Sequence, residues 1–234
     1  FMTGKVVNPI AGFGKGKTQN GFTMAYKGLG PDPDEVRAAD VPGKSLYSVL
    51  NDTTKTKIKI GGHSLGSAIS TLIANYAQSL NKFNRVEGYV SASPTVGNQV
   101  YADYFNALRD KDGNTLGNNF YRLTNKNDLI PTLPGPLLGF IAVAQEVLFD
   151  TLYTDSEGKK DIPKNHSICC CYSYALRHPQ NPYNNANEAG VENECVFPVG
   201  PTNYYVSFDQ HVDNLILYYS SFVEQDGTVS QTIT

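Results

Sequence analysis

The apolar positions of this chain follow two different periods, and the change between them marks its elements. Thr56 to Ile60 alternates polar and apolar residues with β-branched side chains, the pattern of a half-buried strand, and stops at Gly61-Gly62. From Leu65 to Leu80 the apolar residues Leu65, Ala68, Ile69, Leu72, Ile73, Tyr76 and Leu80 recur at helical spacing. A second strand is predicted over Asn119 to Thr124, and Phe140 to Phe149 reads as a core strand behind the turn residues Pro134-Gly-Pro136. Asn165 to Leu176 is helix-like, and Ser207 to Tyr218 ends in an apolar helical segment. Strand-like and helix-like stretches thus alternate along the chain, the pattern of an α/β fold.

The junction between the first strand and helix is Gly62-His-Ser-Leu-Gly66. A serine hydroxyl is a weak nucleophile unless the backbone holds it exposed, beside a base and close to free N–H donors. A sharp strand-to-helix turn does this at Ser64, with Gly62 and Gly66 where a Cβ would clash, and with the positive end of the helix dipole near a developing oxyanion. The oxyanion donor this predicts is the backbone N–H of Leu65. The five-residue pattern alone is weak; the strand before it and the helix after it are the context that gives it weight. The alternative is a glycine turn in which Ser64 is only an N-cap.

Such a serine needs a base and the base an orienting acid. Of the four histidines, His63 adjoins Ser64 and is expected to point away across the turn, and His178 lies in a loop with two prolines. His166 and His211 both satisfy the order serine, acid, histidine of α/β-hydrolases. His211 is chosen because it lies late in the chain on a loop-to-helix junction. The acid candidate is Asp128, just past the strand Asn119–Thr124, where α/β folds place catalytic groups. Asp103, Asp110, Asp112 and Asp150 compete on spacing alone, and Asp128 could instead cap a turn before Pro131.

Five ordered segments resemble the class 3 lipase family, the fungal-type triacylglycerol lipases of α/β-hydrolase fold. They are Asn20-Gly-Phe-Thr-Met-Ala-Tyr26, Gly62-His-Ser-Leu-Gly66, Ala92-Ser-Pro-Thr-Val-Gly-Asn98, Thr124-Asn-Lys-Asn-Asp-Leu-Ile-Pro-Thr-Leu-Pro134 and Asp209-Gln-His-Val-Asp-Asn-Leu-Ile-Leu-Tyr218. The resemblance runs from about Asn20 to Tyr218 and implies a mostly parallel central sheet flanked by helices, with Ser64 as nucleophile, Asp128 as acid and His211 as base. Thr95 stands where the family usually has Arg, the histidine usual before the Gly-x-Phe pair is absent, and a small insertion falls in Gly28–Asp34. The family also carries strands before Asn20, the last of them supplying a second oxyanion donor. The chain opens on Phe1-Met-Thr-Gly-Lys5, which leaves Thr3 as the candidate for that donor and an N-terminal part expected to be incomplete.

Bulk properties narrow the class further. The 234 residues, 40% hydrophobic, suit a single domain over 1–234. A net charge of −3 argues against nucleic acid or a polybasic membrane anchor. No apolar run is long enough to span a bilayer, and no signal peptide is visible. Cys169, Cys170, Cys171 and Cys195 lack the spacing of a zinc site. One bridge from Cys195 to one of the three would mean export, whereas buried thiols would mean a reducing compartment. Secretion is the expectation, with the cytoplasm as the alternative.

The apolar stretch Pro134 to Phe149 follows the acid, and in the family lies along the acyl-binding side, so Leu137, Leu138 and Phe140 are the expected lining of the substrate mouth. The function expected is a serine carboxylic-ester hydrolase acting on acylglycerols through an acyl-enzyme, at a lipid–water interface and without metal or organic cofactor. The alternatives are another acyl ester hydrolase of phospholipase A1 or feruloyl esterase type, and an inactive lipase-like binding protein.

Overall fold

Alternation decides the central strand. In Lys57–His63 (β3), Ile58 and Ile60 turn to one face and are buried, while Lys57 and Lys59 lie on the other. The strand runs three residues past the predicted end, through Gly61, Gly62 and His63. A Cβ on Gly62 would come within 2.6 Å of both the Gly66 carbonyl oxygen and Ser70 Oγ, so only glycine lets the following helix approach this closely. That helix, Leu65–Ser79 (α3), is buried on nearly every side. Its hydroxyls are matched accordingly: Ser70 Oγ donates to the Gly61 carbonyl at 2.7 Å, and Thr71 Oγ1 to the Ser67 carbonyl at 2.9 Å.

The computed structural model describes residues 6–7, 14–29, 46–52, 54–155, 157–177, 222–223 and 228–233. After α3 come Arg85–Ser91 (β4), Gln99–Ala107 (α4), Leu116–Asn119 (α5), Phe120–Asn125 (β5) and Gln145–Phe149 (β6). Phe222–Val223 (β7) and Thr228–Ile233 (β8) close the described chain. The strands form one six-stranded sheet in the order β6-β5-β4-β3-β8-β7, parallel except for β7. Ile58, Ile60, Val86 and Val90 pack with Ala68, Ile69, Leu72 and Ile73 of α3 in the main apolar cluster.

Tyr101 and Phe105 of α4 continue that cluster, and Phe105 meets Phe120 edge-on at 5.4 Å. Asn98 caps α4, its side chain accepting the Tyr101 N–H. On the other flank Asn20–Lys27 (α1) buries Phe22 and Tyr26 against α3, with Gln19 as its cap. A short ribbon pairs Val6–Val7 (β1) with Thr18–Gln19 (β2), and Leu46–Leu50 (α2) adds Leu46, Val49 and Leu50 to the core.

One expectation changes, and one strand pairing is new to the sequence pattern. Phe140 to Phe149 yields an edge strand, β6, in which four of five residues are exposed, because no strand lies beyond it among the described residues. The strand flanking β3 opposite β4 is β8, from the C-terminal residues, and not one that precedes Asn20. No helix of the described residues is long and apolar enough to cross a membrane.

Candidate active site

Parallel strands end at one edge of the sheet, and the polar residues collect there. Ser64 follows β3 with φ 56° and ψ −124°, a backbone conformation that costs a non-glycine residue about 1–3 kcal/mol. The neighbouring strand holds it in place. Ser91, the last residue of β4, accepts the Ser64 N–H at 3.0 Å and the Ser67 hydroxyl at 2.6 Å on its carbonyl. Leu65 opens α3, so its N–H lies in the helical turn that lacks acceptors within the helix.

Past the end of β5 the chain turns through Asn125 to Asp128. Asp128 is buried; its Oδ1 accepts the Ile130 N–H at 2.9 Å and its Oδ2 faces the ring of His166 at 2.8 Å from Nδ1. His166 Nε2 lies 2.7 Å from Ser64 Oγ. With Nδ1–H donating to the carboxylate, Nε2 is the acceptor that faces the serine hydroxyl. The same Oδ2 accepts a second bond, from the Tyr172 hydroxyl at 2.6 Å. Burial, then the Asp128 charge, pushes the Tyr172 phenol far above its ordinary range, so it stays a donor.

The elements that carry His166 explain how a residue 102 positions from Ser64 meets it. Ile162–His166 (α6) is a single helical turn, begun by Asp161, whose side chain accepts the Lys164 N–H, and by Pro163 in the first turn. Asn165 is fully buried: its amide donates to the carbonyls of Tyr153 and Asp161, and its oxygen accepts the Tyr153 N–H. A π-helical turn, Ile168–Tyr172, then swings Tyr172 back over Asp128 before Ser173–Arg177 (α7).

Asn125 ties these pieces together. Its Nδ2 donates to the carbonyls of Thr151 and Asn165 and to Cys171 Sγ, its Oδ1 accepts the Thr151 and Asn127 N–H groups, and its own N–H donates to the Tyr172 hydroxyl. Cys171 is a buried free thiol, pushed up to about 12 chiefly by burial. It therefore makes no bridge; Cys195 lies outside the described residues.

The structure brings Ser64 and Asp128 together through His166, the histidine set aside in favour of His211. His211 lies outside the described residues, as does Thr3. The position between serine and carboxylate is filled, and the loop-to-helix junction that favoured His211 exists at His166 too, capped by Asp161. The sequence pattern assigns no role to Tyr172, Asn125 or Asn165. The pattern Asp161-Ile-Pro163 was the available sign of a helix start just ahead of His166.

Of the proposed substrate residues, Leu137 is completely exposed and Leu138 is more than half exposed, both on a 3₁₀ turn, Pro136–Leu138. Phe140 is fully buried, and so offers no surface to an open mouth. His63, expected to point away from Ser64, packs its ring against His166 at 4.9 Å between centroids and places Nδ1 2.8 Å from Ser91 Oγ.

Comparison with known proteins bears on this arrangement. One family, described as Lipase (class 3), matches residues 2–138. The chain belongs to the class 3 lipases. That match contains Ser64 and Asp128 and ends before His166. A secreted mono- and diacylglycerol lipase A of Penicillium cyclopium is 35% identical over 103 residues, 44% of this chain and 30% of that protein. Phospholipase A1-II 1 of Oryza sativa subsp. indica is 31% identical over 116 residues, 45% of this chain and 27% of that protein. The chain thus spans under a third of the length of these two relatives. Among solved structures, lipase II from Rhizopus niveus superposes with a TM-score of 0.47 at 21% identity, covering 63% of this chain and 50% of that one.

Proposed function

We propose that this class 3 lipase chain hydrolyses carboxylic esters, with acylglycerols as the substrate class. The observation that carries the reading is the continuous hydrogen-bonded path from Ser64 Oγ through His166 to Asp128 at the carboxyl edge of a parallel sheet. His166 takes the Ser64 proton as the hydroxyl attacks the ester carbonyl, and Asp128 holds the ring in the tautomer that allows it. The tetrahedral oxyanion develops next to Leu65 N–H at the start of α3. The alcohol leaves with the proton from His166, and water activated by the same ring releases the acid from Ser64.

The substrate class rests on the family and on relatives named as mono- and diacylglycerol lipases. The fully exposed Leu137 and the half-exposed Leu138 on the 3₁₀ turn, with the half-exposed Leu129 next to Asp128, suit contact with a lipid–water interface more than a buried trench. Export is supported by the relatives named as secreted. A second reading, cleavage of a phospholipid acyl ester, is favoured by the relative named as a phospholipase A1. Turnover of mono-, di- and triacylglycerols, phosphatidylcholine and a feruloyl ester tests the reading, with Ser64→Ala as control. Acylglycerol turnover lost in Ser64→Ala is the expected result. Hydrolysis of only phosphatidylcholine or only the feruloyl ester would move the substrate class, and a folded protein inert on all of them would overturn the enzyme reading.

A further inference from the structure

His63 belongs to the serine motif but has no step in the reaction just described. Its surroundings are specific nonetheless. Nδ1 lies 2.8 Å from Ser91 Oγ, on the same residue whose carbonyl accepts the Ser64 N–H. The ring lies 4.9 Å from that of His166 at a 35° tilt, and Tyr172 closes its other approach edge-on at 5.4 Å.

We propose that His63 is a positioning residue for the reacting imidazole, a neutral ring fixed by Ser91 that backs the His166 ring. The inference rests on the ester-hydrolase reading above. Two consequences separate it from plain packing. A flat ring behind His166 restricts rotation away from the line joining Ser64 and Asp128, and small misalignments there lower turnover steeply. It also keeps water off one face of His166, where water would stabilise the imidazolium.

For this the ring must stay neutral while His166 cycles through its charged form. Burial, then the charge on His166, lowers the His63 pKa to about 4, with the Asp128 charge opposing. The groups around His166 are Asp128 beyond β5, Ser64 at the head of α3 and His63 on β3, with Tyr172 of the π-helical turn bonded to Asp128 and Asp161 and Lys164 on the same helical turn as His166. Of these, His63 is the one whose ring lies against that of His166.

The test is the pH profile of kcat/KM on a soluble short-chain ester for the parent, His63→Ala, His63→Phe and Ser91→Ala. In His63→Ala we expect kcat to fall by about tenfold or more at little change in KM, and the acid limb to move to higher pH as water reaches His166. His63→Phe keeps a dry flat face, so its acid limb stays with the parent while kcat recovers in part. Ser91→Ala lowers kcat in the same direction with the ring retained, and supplies the answer if His63→Ala does not fold. An active parent whose Ser91→Ala and folded His63 variants all keep its kcat and profile would overturn this inference alone. A parent that turns over no ester would overturn the function reading and this inference with it.

Discussion

The Tyr172 hydroxyl donates to Asp128 Oδ2 at 2.6 Å, on the same oxygen that faces His166 Nδ1 at 2.8 Å. One carboxylate oxygen thus serves two donors, while Oδ1 holds the main chain at Ile130. The acid is fixed on every side, and rotation about its last bond would break all three contacts at once.

Tyr172→Phe removes the phenol donor and leaves the Asn125 N–H without its acceptor. A buried group left unpaired costs about 1–3 kcal/mol, so the variant is expected to melt several degrees lower and to lose turnover at unchanged KM. Calorimetry together with steady-state kinetics checks both; an unchanged kcat would mean the phenol only supports the fold.

Asn165→Ala is expected to do comparable damage by another path. Three side-chain bonds to Tyr153 and Asp161 vanish, and with them the anchor that sets where α6 begins. Activity should fall more than stability, because His166 follows immediately in the same helical turn. Comparing kcat with the midpoint of urea unfolding would show this, and a purely proportional loss would refute it.

Gly62→Ala is expected to leave no folded protein, since the new Cβ would meet the Gly66 backbone as well as the Ser70 hydroxyl, and the backbone cannot swing aside. Soluble variant with the parent's circular dichroism would show that α3 can shift away from β3.

His63 gives a pH dependence of stability with a definite sign. Its pKa is about 4 in the folded chain against 6.5 as its ordinary value. Between those values the unfolded chain binds a proton that the folded one refuses, so stability is lost as pH falls from about 6.5 toward 4 and is fully present above 6.5. The full shift corresponds to about 3 kcal/mol. Denaturant unfolding of the parent and of His63→Phe at both ends of the window should give a smaller loss for the variant; equal losses would contradict the assignment.

How much of this was legible in the sequence depended on how local the cause is. β3, the turn at Ser64 and α3 follow from a change of period and two glycines within 24 residues, and they stand where the pattern predicts, with β3 running on to His63. β5 and the placement of Asp128 past its end follow similarly. The histidine did not. His166 and His211 offer the same chain order and the same kind of helix start, and what separates them is a tertiary event, the docking of Asn165 and Tyr172 onto Asn125. The apolar run ending at Phe149 reads as a core strand from its apolar residues, but the strand itself begins only at Gln145-Glu146 and lies at the sheet edge with four of its five residues exposed.

The account stands or falls on which imidazole serves Ser64. A fluorophosphonate probe with peptide mass spectrometry should place a single adduct on Ser64 in the parent and in His211→Ala, and little or none in His166→Ala. Adduct formation kept in folded His166→Ala and lost in folded His211→Ala would contradict it and return the base to His211.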